Sequence, residues 1–411
     1  MNQEQKYHWD LLENAVNTRY EYPENRFKGR GIVICGGGVK YYTCAWICIH
    51  MLRYLGCRLP IQLWHLGPKE MHDGMRRLIE PLDVECIDGL TVAKEYPARI
   101  LGGWEIKPYS IIHSRFEEVL SLDADNVCVR NPEYLFDTPE YKAHGAIFWP
   151  DYGRLSRDKT IWDICGVKYR DEPEFESGQI FVNKRQCWKA LQITMHMNEH
   201  SDYYYRHMHG DKETFHMAFR RIDQPYAMTD KWIYGLEVGT MCQHDFEGNR
   251  LFQHRTRPKW DLFEKNPRIK EFIHEDQCFA YLEKLQTLWV SNLCGVARFS
   301  TKIAKSPREL AIAKKLMDGE FLYDRVGYDL RPMSFLTDGR IGGGAADHEI
   351  FWDVKEEKGK MTLIISCEEV TTCSLVQDAK GIWNGQWTRF EKMPVRLVYK
   401  RRLKNVTMCS D

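Results

Sequence analysis

Two aspartates separated by one alanine, Asp123-Ala-Asp125, close the apolar run Glu118-Val-Leu-Ser-Leu122. Alternate residues of a strand share a face, so both carboxylates can address one hard divalent cation together with phosphate oxygens. Such a cation would neutralise the charge that develops on a departing nucleoside diphosphate. Further along, Gln253-His254-Arg255-Thr-Arg257-Pro-Lys259-Trp260 supplies an imidazole and three cations in close succession. His254 can complete a site of two Asp and one His that keeps positions open for phosphate. Arg255, Arg257 or Lys259 can then hold the diphosphate as it leaves.

Three other segments carry chemical meaning. Gly36-Gly37-Gly38-Val-Lys40 allows the backbone to approach a base, ribose or phosphate closely. It is neither GxGxxG nor a GK[ST] loop, which argues against a dinucleotide fold and against ATP hydrolysis. Glu176-Ser177-Gly178-Gln179, read as a lead into a strand, can set a carboxylate and a flexible backbone against a sugar. Gly210-Asp211-Lys-Glu-Thr214 has the form of a helix start with Asp211 as its cap.

These residues need a scaffold that gathers them. Gly31-Ile-Val-Ile-Cys35 reads as a buried parallel strand, followed by a helix over 41–54 and further strands at 59–66 and 83–87. That order opens a βαβ sheet with right-handed crossovers, and Asp123 and Asp125 fall at its ligand-binding C-terminal edge. Helices are expected at 13–20, 107–116, 185–197, 212–220 and 267–288, with strands at 146–149 and 179–182. Ser306-Pro-Arg-Glu309 is a capping box that opens a helix to Met317. Beyond it, turn signals at Asp338-Gly339, Glu357-Lys-Gly359 and Asp378-Ala-Lys-Gly381 separate five β-rich runs. An antiparallel meander, as a curved sheet or small barrel, is the expectation. The organisation is a lead-in at 1–28, a sheet domain at 29–290, a helical linker at 291–320 and a β module at 321–411.

Composition bounds the function. With 43 % hydrophobic and 28 % charged residues in 411, the chain is globular rather than disordered. Lys+Arg and Asp+Glu both number 58, so no global basic excess exists for coating nucleic acid or anionic membrane. Fourteen cysteines without a CxxC pair read as thiols in a reducing compartment. No apolar stretch reaches the ~18 residues of a membrane span and no signal peptide is visible, so a cytoplasmic location is expected. Aromatics at 13 % suit a ligand cleft as well as a large core.

Taken in order, the triple glycine, Lys107, Leu-Asp-Ala-Asp125, Phe-Trp-Pro150, Glu-Ser-Gly-Gln179, Gly-Asp-Lys-Glu-Thr-Phe215 and Gln-His254 resemble the fungal-type α-mannosyltransferases, and more distantly glycogenin-like enzymes, over about residues 29–265. The resemblance implies a GT-A glycosyltransferase fold, α/β with a Rossmann-like, mostly parallel mixed sheet and helices on both faces. It implies a UDP- or GDP-linked sugar donor and Mn²⁺, or Mg²⁺ in its place. Asp123 and Asp125 would be the metal pair, with His254 as third ligand. Gly36, Gly37, Gly38 and Lys40 would border the nucleotide, and Lys107 would lie near the diphosphate with Arg257 and Lys259. Glu176, Ser177 and Gly178 would sit at the donor sugar, and Asp211 would touch donor sugar or acceptor, making Asp211 and Glu176 the catalytic carboxylates. The β module falls outside the resemblance.

The expected reaction is metal-dependent hexosyl transfer to a hydroxyl, with retention of configuration favoured by the resemblance. The acceptor divides the readings between a glycan or lipid-linked saccharide and a hydroxymethylated base in DNA. For DNA, Lys400-Arg401-Arg402 with Lys404 are candidate phosphate contacts. A non-catalytic carbohydrate-binding protein is a further alternative, with Trp352, Trp383 and Trp387 either a sugar platform or core.

Overall fold

The computed structural model describes residues 2–68, 70–71, 73–262, 265–289, 306–336, 339–346, 348–367, 370–388 and 392–403. The chain divides into two compact units, Met1–Leu285 and Gln286–Asp411.

In the first unit, β1 (Arg30–Cys35) pairs in parallel with β2 (Ile61–His65) and β4 (Glu118–Asp123), and β3 (Val84–Asp88) extends the sheet beyond β2. Antiparallel β7 (Pro173–Asn183) and β6 (Ala146–Arg154) follow, then β8 (Ala227–Met228) parallel to β6. The order is β3-β2-β1-β4-β7-β6-β8, a mixed α/β sheet. Ile32, Val33 and Ile34 are all buried, as a strand covered on both faces requires. Cys35 touches Ser110 of the helix Ile106–His113 on one face. Gly36, the next residue and so of opposite facing, abuts Ala45 of the helix Gly38–Tyr54. The helices Lys184–Glu199 and Asp211–Arg221 complete the Val33 side through Leu191 and Phe219. A second, four-stranded sheet runs β5 (Asn126–Cys128), β11 (Arg250–Arg255), β10 (Thr240–His244) and β9 (Tyr234–Leu236).

Several elements differ from the sequence expectation. The first helix is Gln3–Asn17 rather than 13–20, because Asn2 and Gln5 form a capping box; its Leu12 sits in a core cluster with Trp162 and Met197. β6 and β7 outrun their apolar runs, so Glu176, Ser177 and Gly178 lie inside β7 and not in a lead-in loop. The register slips where they pair, between Ile147 and Trp149, while Glu176 and Ser177 stay buried. The later helix is Glu275–Trp289, so 267–274 is not helical.

A histidine cluster ties the first helix to its neighbours. His8 stacks on Tyr203 with ring centroids 3.8 Å apart, His200 lies 5.4 Å from His8, and His196 lies 4.8 Å from His200. Burial, reinforced by His200 and His8, pushes His196 down from 6.5 to about 4. Burial lowers His8 and His200 as well, against the pull of Asp202. The unfolded chain then binds more protons than the folded one between these values, so stability falls as pH drops from 6.5 towards 4. The change in stability between pH 7 and pH 5, read from urea melts, should be smaller in His196→Leu than in wild type by about 2 kcal/mol; an equal change in both proteins would refute the assignment.

The second unit is one antiparallel sheet, β13-β12-β18-β17-β16-β15-β14. Its strands are β12 (Gly319–Arg325), β13 (Asp329–Ser334), β14 (Phe351–Glu357), β15 (Lys360–Cys367), β16 (Val370–Gln377), β17 (Trp383–Trp387) and β18 (Met393–Arg402). β12 and β13 are not among the expected runs; in β13 Leu330 is 64 % exposed while Arg331 turns inwards to Glu349, against the apolar-in alternation. The helix Pro307–Met317 starts at the Ser306–Glu309 capping box as read. Trp352, Trp383 and Trp387 are 0, 2 and 4 % exposed, so they form core and not a sugar platform. Lys400 and Arg401 both hold Glu320, at 2.9 and 3.1 Å. Lys404, Asp338, Arg389 to Glu391 and most of the proposed linker, 290–305, lie outside the described residues. Among the described residues, no two cysteines are joined by a disulfide. Among the described residues, no helix is long and apolar enough to cross a membrane.

Candidate active site

The parallel strands end level with one another, Cys35 of β1 pairing with Trp64 of β2 and Asp123 of β4. At this C-terminal edge opens a cleft of about 430 Å³, lined among others by Gly37, Lys107, Asp123, Asp125, Ser177 and Asp211. β1 gives way to the triple glycine, and the helix Gly38–Tyr54 begins directly. A Cβ on Gly37 would stand 2.1 Å from Glu70 Oε2, and Gly38 has φ +73°, so both positions require glycine.

Lys107 is the hub of the cleft floor. It is buried, with Nζ 2.8 Å from Asp123 Oδ1 and 3.1 Å from Asp211 Oδ2. It also donates to Ser177 O and Oγ at 3.1 and 2.9 Å, and Ser177 Oγ donates to Asp211 Oδ2 at 3.1 Å. Burial by itself would strip the ammonium of its proton; Asp123 and Asp211 outweigh that and hold its pKa above the ordinary lysine value. For Asp211 burial wins over Lys107, and its pKa is raised. Asp211 is the first residue of its helix but does not cap it: the cap position belongs to Gly210, at φ 71°, which frees the carboxylate for Lys107.

A second cluster adjoins the first. One ligand atom each from Asp123, Glu176 and His254 lies within 4.8 Å of the others. β11 brings His254 opposite Asn126 of β5, so pairing of the small sheet delivers the imidazole. Its Nε2 stands 3.1 Å from Asp125 Oδ1 and 3.8 Å from Asp123 Oδ2. Among the described residues its Nδ1, 3.6 Å from Glu176 Oε1, has no hydrogen-bond partner. Asp125 is not on the strand: β4 stops at Asp123, and a turn carries the chain into β5. The strand alternation expected to align both carboxylates therefore does not apply, and Asp125 instead bonds His254 and Lys259. Burial would lower the His254 pKa, but Asp125, Glu176 and Asp123 raise it to about 9, so the carboxylates hold an imidazolium. The pocket is thus built for positive charge. Two carboxylate oxygens and a neutral imidazole with an unused ring nitrogen fit a divalent cation in its place. Burial raises Glu176, whose Oε1 accepts from Gly178 N at 2.8 Å.

Gly178 has no room for a side chain. A Cβ there would lie 2.6 Å from His254 Nδ1 and 2.9 Å from Glu176 Oε1. Gly178→Ala should cost about 1–3 kcal/mol of stability through overpacking and weaken divalent-cation binding by about tenfold or more. Isothermal titration with Mn²⁺ checks this; wild-type affinity would refute it.

The remaining predicted residues scatter. Lys259 lines the cleft, whereas Lys40 is exposed and outside its lining. Arg257 is exposed and lies along Gly239. Arg255 is fully buried, its guanidinium 3.8 Å over the Trp260 ring and donating to Pro258 O and Pro267 O, so it cannot serve a diphosphate. Sequence reasoning passed over Tyr41, Glu70 and Trp104, all on the cleft wall. For Trp104 a signal existed: an aromatic directly after Gly102-Gly103 and three residues before Lys107.

A mannosyltransferase family model matches residues 29–174 and 167–254. The alpha-1,2-mannosyltransferase MNN21 of Candida albicans is 24 % identical over 394 residues, covering 79 % of this chain and 58 % of its own. MNN24 of the same organism is 29 % identical over 298 residues, covering 59 % and 41 %. The chain thus spans about half the length of the curated relatives it matches. Among solved structures, the glycosyltransferase GlyE of Streptococcus pneumoniae aligns at a TM-score of 0.39 and 14 % identity over 64 % of each chain.

Proposed function

The chain belongs to the mannosyltransferase family, and from that premise we propose that it transfers a mannosyl residue from a nucleoside-diphosphate sugar to a glycan hydroxyl, with a divalent cation. The observation that carries this reading is the adjacency of two built clusters at one strand edge: Asp123, Glu176 and His254 beside Lys107, Ser177 and Asp211. Asp123, Glu176 and His254 would hold the cation, for which their mixed oxygen and nitrogen set suits Mn²⁺. When bound, the cation supplies charge neutralisation for the leaving diphosphate. Lys107 adds a fixed positive charge beside it, already desolvated and held by two carboxylates, so no reorganisation is needed as charge develops. Lys259, freed from Asp125, is the further cation on the cleft wall. Asp211 and Ser177 orient the sugar, and the Asp211 carboxylate faces the positive charge that grows at the anomeric carbon. Retention is the stereochemistry we propose, with the departing phosphate oxygen taking the acceptor proton.

GDP with Mn²⁺ should raise the melting temperature, by an increment equivalent to about 2.7 kcal/mol at a hundredfold excess over Kd, and UDP should do so less. EDTA should remove the effect. No shift with either nucleotide in Mn²⁺ would overturn the donor assignment, and an undiminished shift in EDTA would overturn the metal. Transfer from GDP-mannose to methyl α-mannoside, read by product NMR, tests the reaction and its stereochemistry.

A further inference from the structure

Trp104 stands at the cleft rim with 62 % of its surface exposed, although an indole gains more from burial than almost any side chain. Its position is nonetheless defined. The ring lies so close over Gly210 that a Cβ there would meet Cε3 at 2.6 Å, and Tyr205 braces it at 6.0 Å between centroids. Gly210 directly precedes Asp211, and Trp104 is three residues before Lys107, so the ring and its Gly210 contact both adjoin the Lys107–Asp211 pair. An oriented aromatic face beside Asp211, whose carboxylate lines the same cleft, is what a hexose needs: the ring covers its apolar C–H face and the carboxylate accepts from its hydroxyls.

At the triple glycine the cleft is lined by buried Gly36 and Trp64 with Tyr41 44 % exposed, whereas Trp104, beside the Lys107–Asp211 pair, opens further to solvent at 62 %. A substrate that extends outwards from the reacting centre suits the open rim; a donor sugar held at its diphosphate does not. We propose that Trp104 is the stacking platform for the acceptor sugar, a pyranoside at the end of a glycan. This rests on the transferase reading above and names the acceptor side of the same site.

Saturation-transfer NMR with α-1,2-mannobiose tests it without turnover. Wild-type protein should transfer saturation to the ring protons of one sugar face, Trp104→Ala should lose most of it, and Trp104→Phe should restore part. In turnover, Trp104→Ala should raise the acceptor KM about tenfold, ~1.4 kcal/mol, with the donor KM within a factor of about two. Absence of saturation in wild-type protein, or mannobiose binding and acceptor KM unchanged in Trp104→Ala, would overturn the platform. The GDP and Mn²⁺ melting shift, measured on the same two proteins, reports the donor reading separately: if it is present while mannobiose fails, the platform alone falls.

Discussion

Asp123→Asn is expected to reduce sugar transfer by about 10³-fold or more while the protein stays folded. Asparagine keeps the shape of the side chain and one acceptor oxygen, so the Lys107 contact at 2.8 Å can persist in neutral form. What it loses is the charge that Asp123 contributes to two clusters at once: to Lys107 through Oδ1 and to the His254 pocket through Oδ2. Lys107 retains Asp211 as its counter-ion, which limits the cost to the fold. The measurement is kcat at saturating nucleotide sugar and Mn²⁺, with a melting curve as control. Activity above roughly a tenth of wild type would mean that Asp123 neither binds the cation nor organises the diphosphate. Asp125→Asn should act differently, because Asp125 touches His254 and Lys259 and stands outside the three-residue cluster. Its effect should fall mainly on cation affinity, as for a group that orients a ligand.

Lys107→Met should both destabilise and inactivate. Methionine fills a similar volume but leaves Asp123 and Asp211 without the ammonium that lies between them, at 2.8 and 3.1 Å. Removing one partner of a buried ion pair costs about 3–5 kcal/mol, because an uncompensated charge stays behind. Asp211, whose pKa is already raised by burial, would then take up a proton and cease to face the sugar as a carboxylate. The discriminating experiment is the double variant. Adding Asp211→Asn to Lys107→Met should return part of the lost stability, since the stranded charge is gone, yet return none of the transfer. Simple additivity in the melts would show that the Lys107–Asp211 contact is not coupled; recovered transfer would show that Lys107 serves packing alone.

How far the sequence reaches is visible residue by residue. Asp123 is legible because an apolar run ends on it, and burial of both faces of a parallel strand forces its carboxylate to the sheet edge. The triple glycine is legible because glycine suits both demands made there, the φ of +73° at Gly38 and the closeness of Glu70 to Gly37. The sequence sets Glu176 at the sugar; its carboxylate also lies 3.6 Å from His254 Nδ1, a nearness that comes from the packing of β7 against β11 and that local sequence does not encode. Arg255 misled for a related reason: a cation beside His254 looks available until the strand turns it inwards, onto Trp260.

By itself, then, the sequence determined the α/β class, the opening strand–glycine–helix unit, the family and most of the carboxylates, because these follow from periodicity, backbone sterics and short motifs that act within a few residues. Only the tertiary structure decided which charges meet. Lys107 and Asp211 are 104 positions apart and come from two helices, and His254 reaches Asp123 only because β5 and β11 pair. Electrostatic partnership depends on distances of 3–4 Å in a low-dielectric interior, and those distances are properties of packing that no run of neighbouring residues contains.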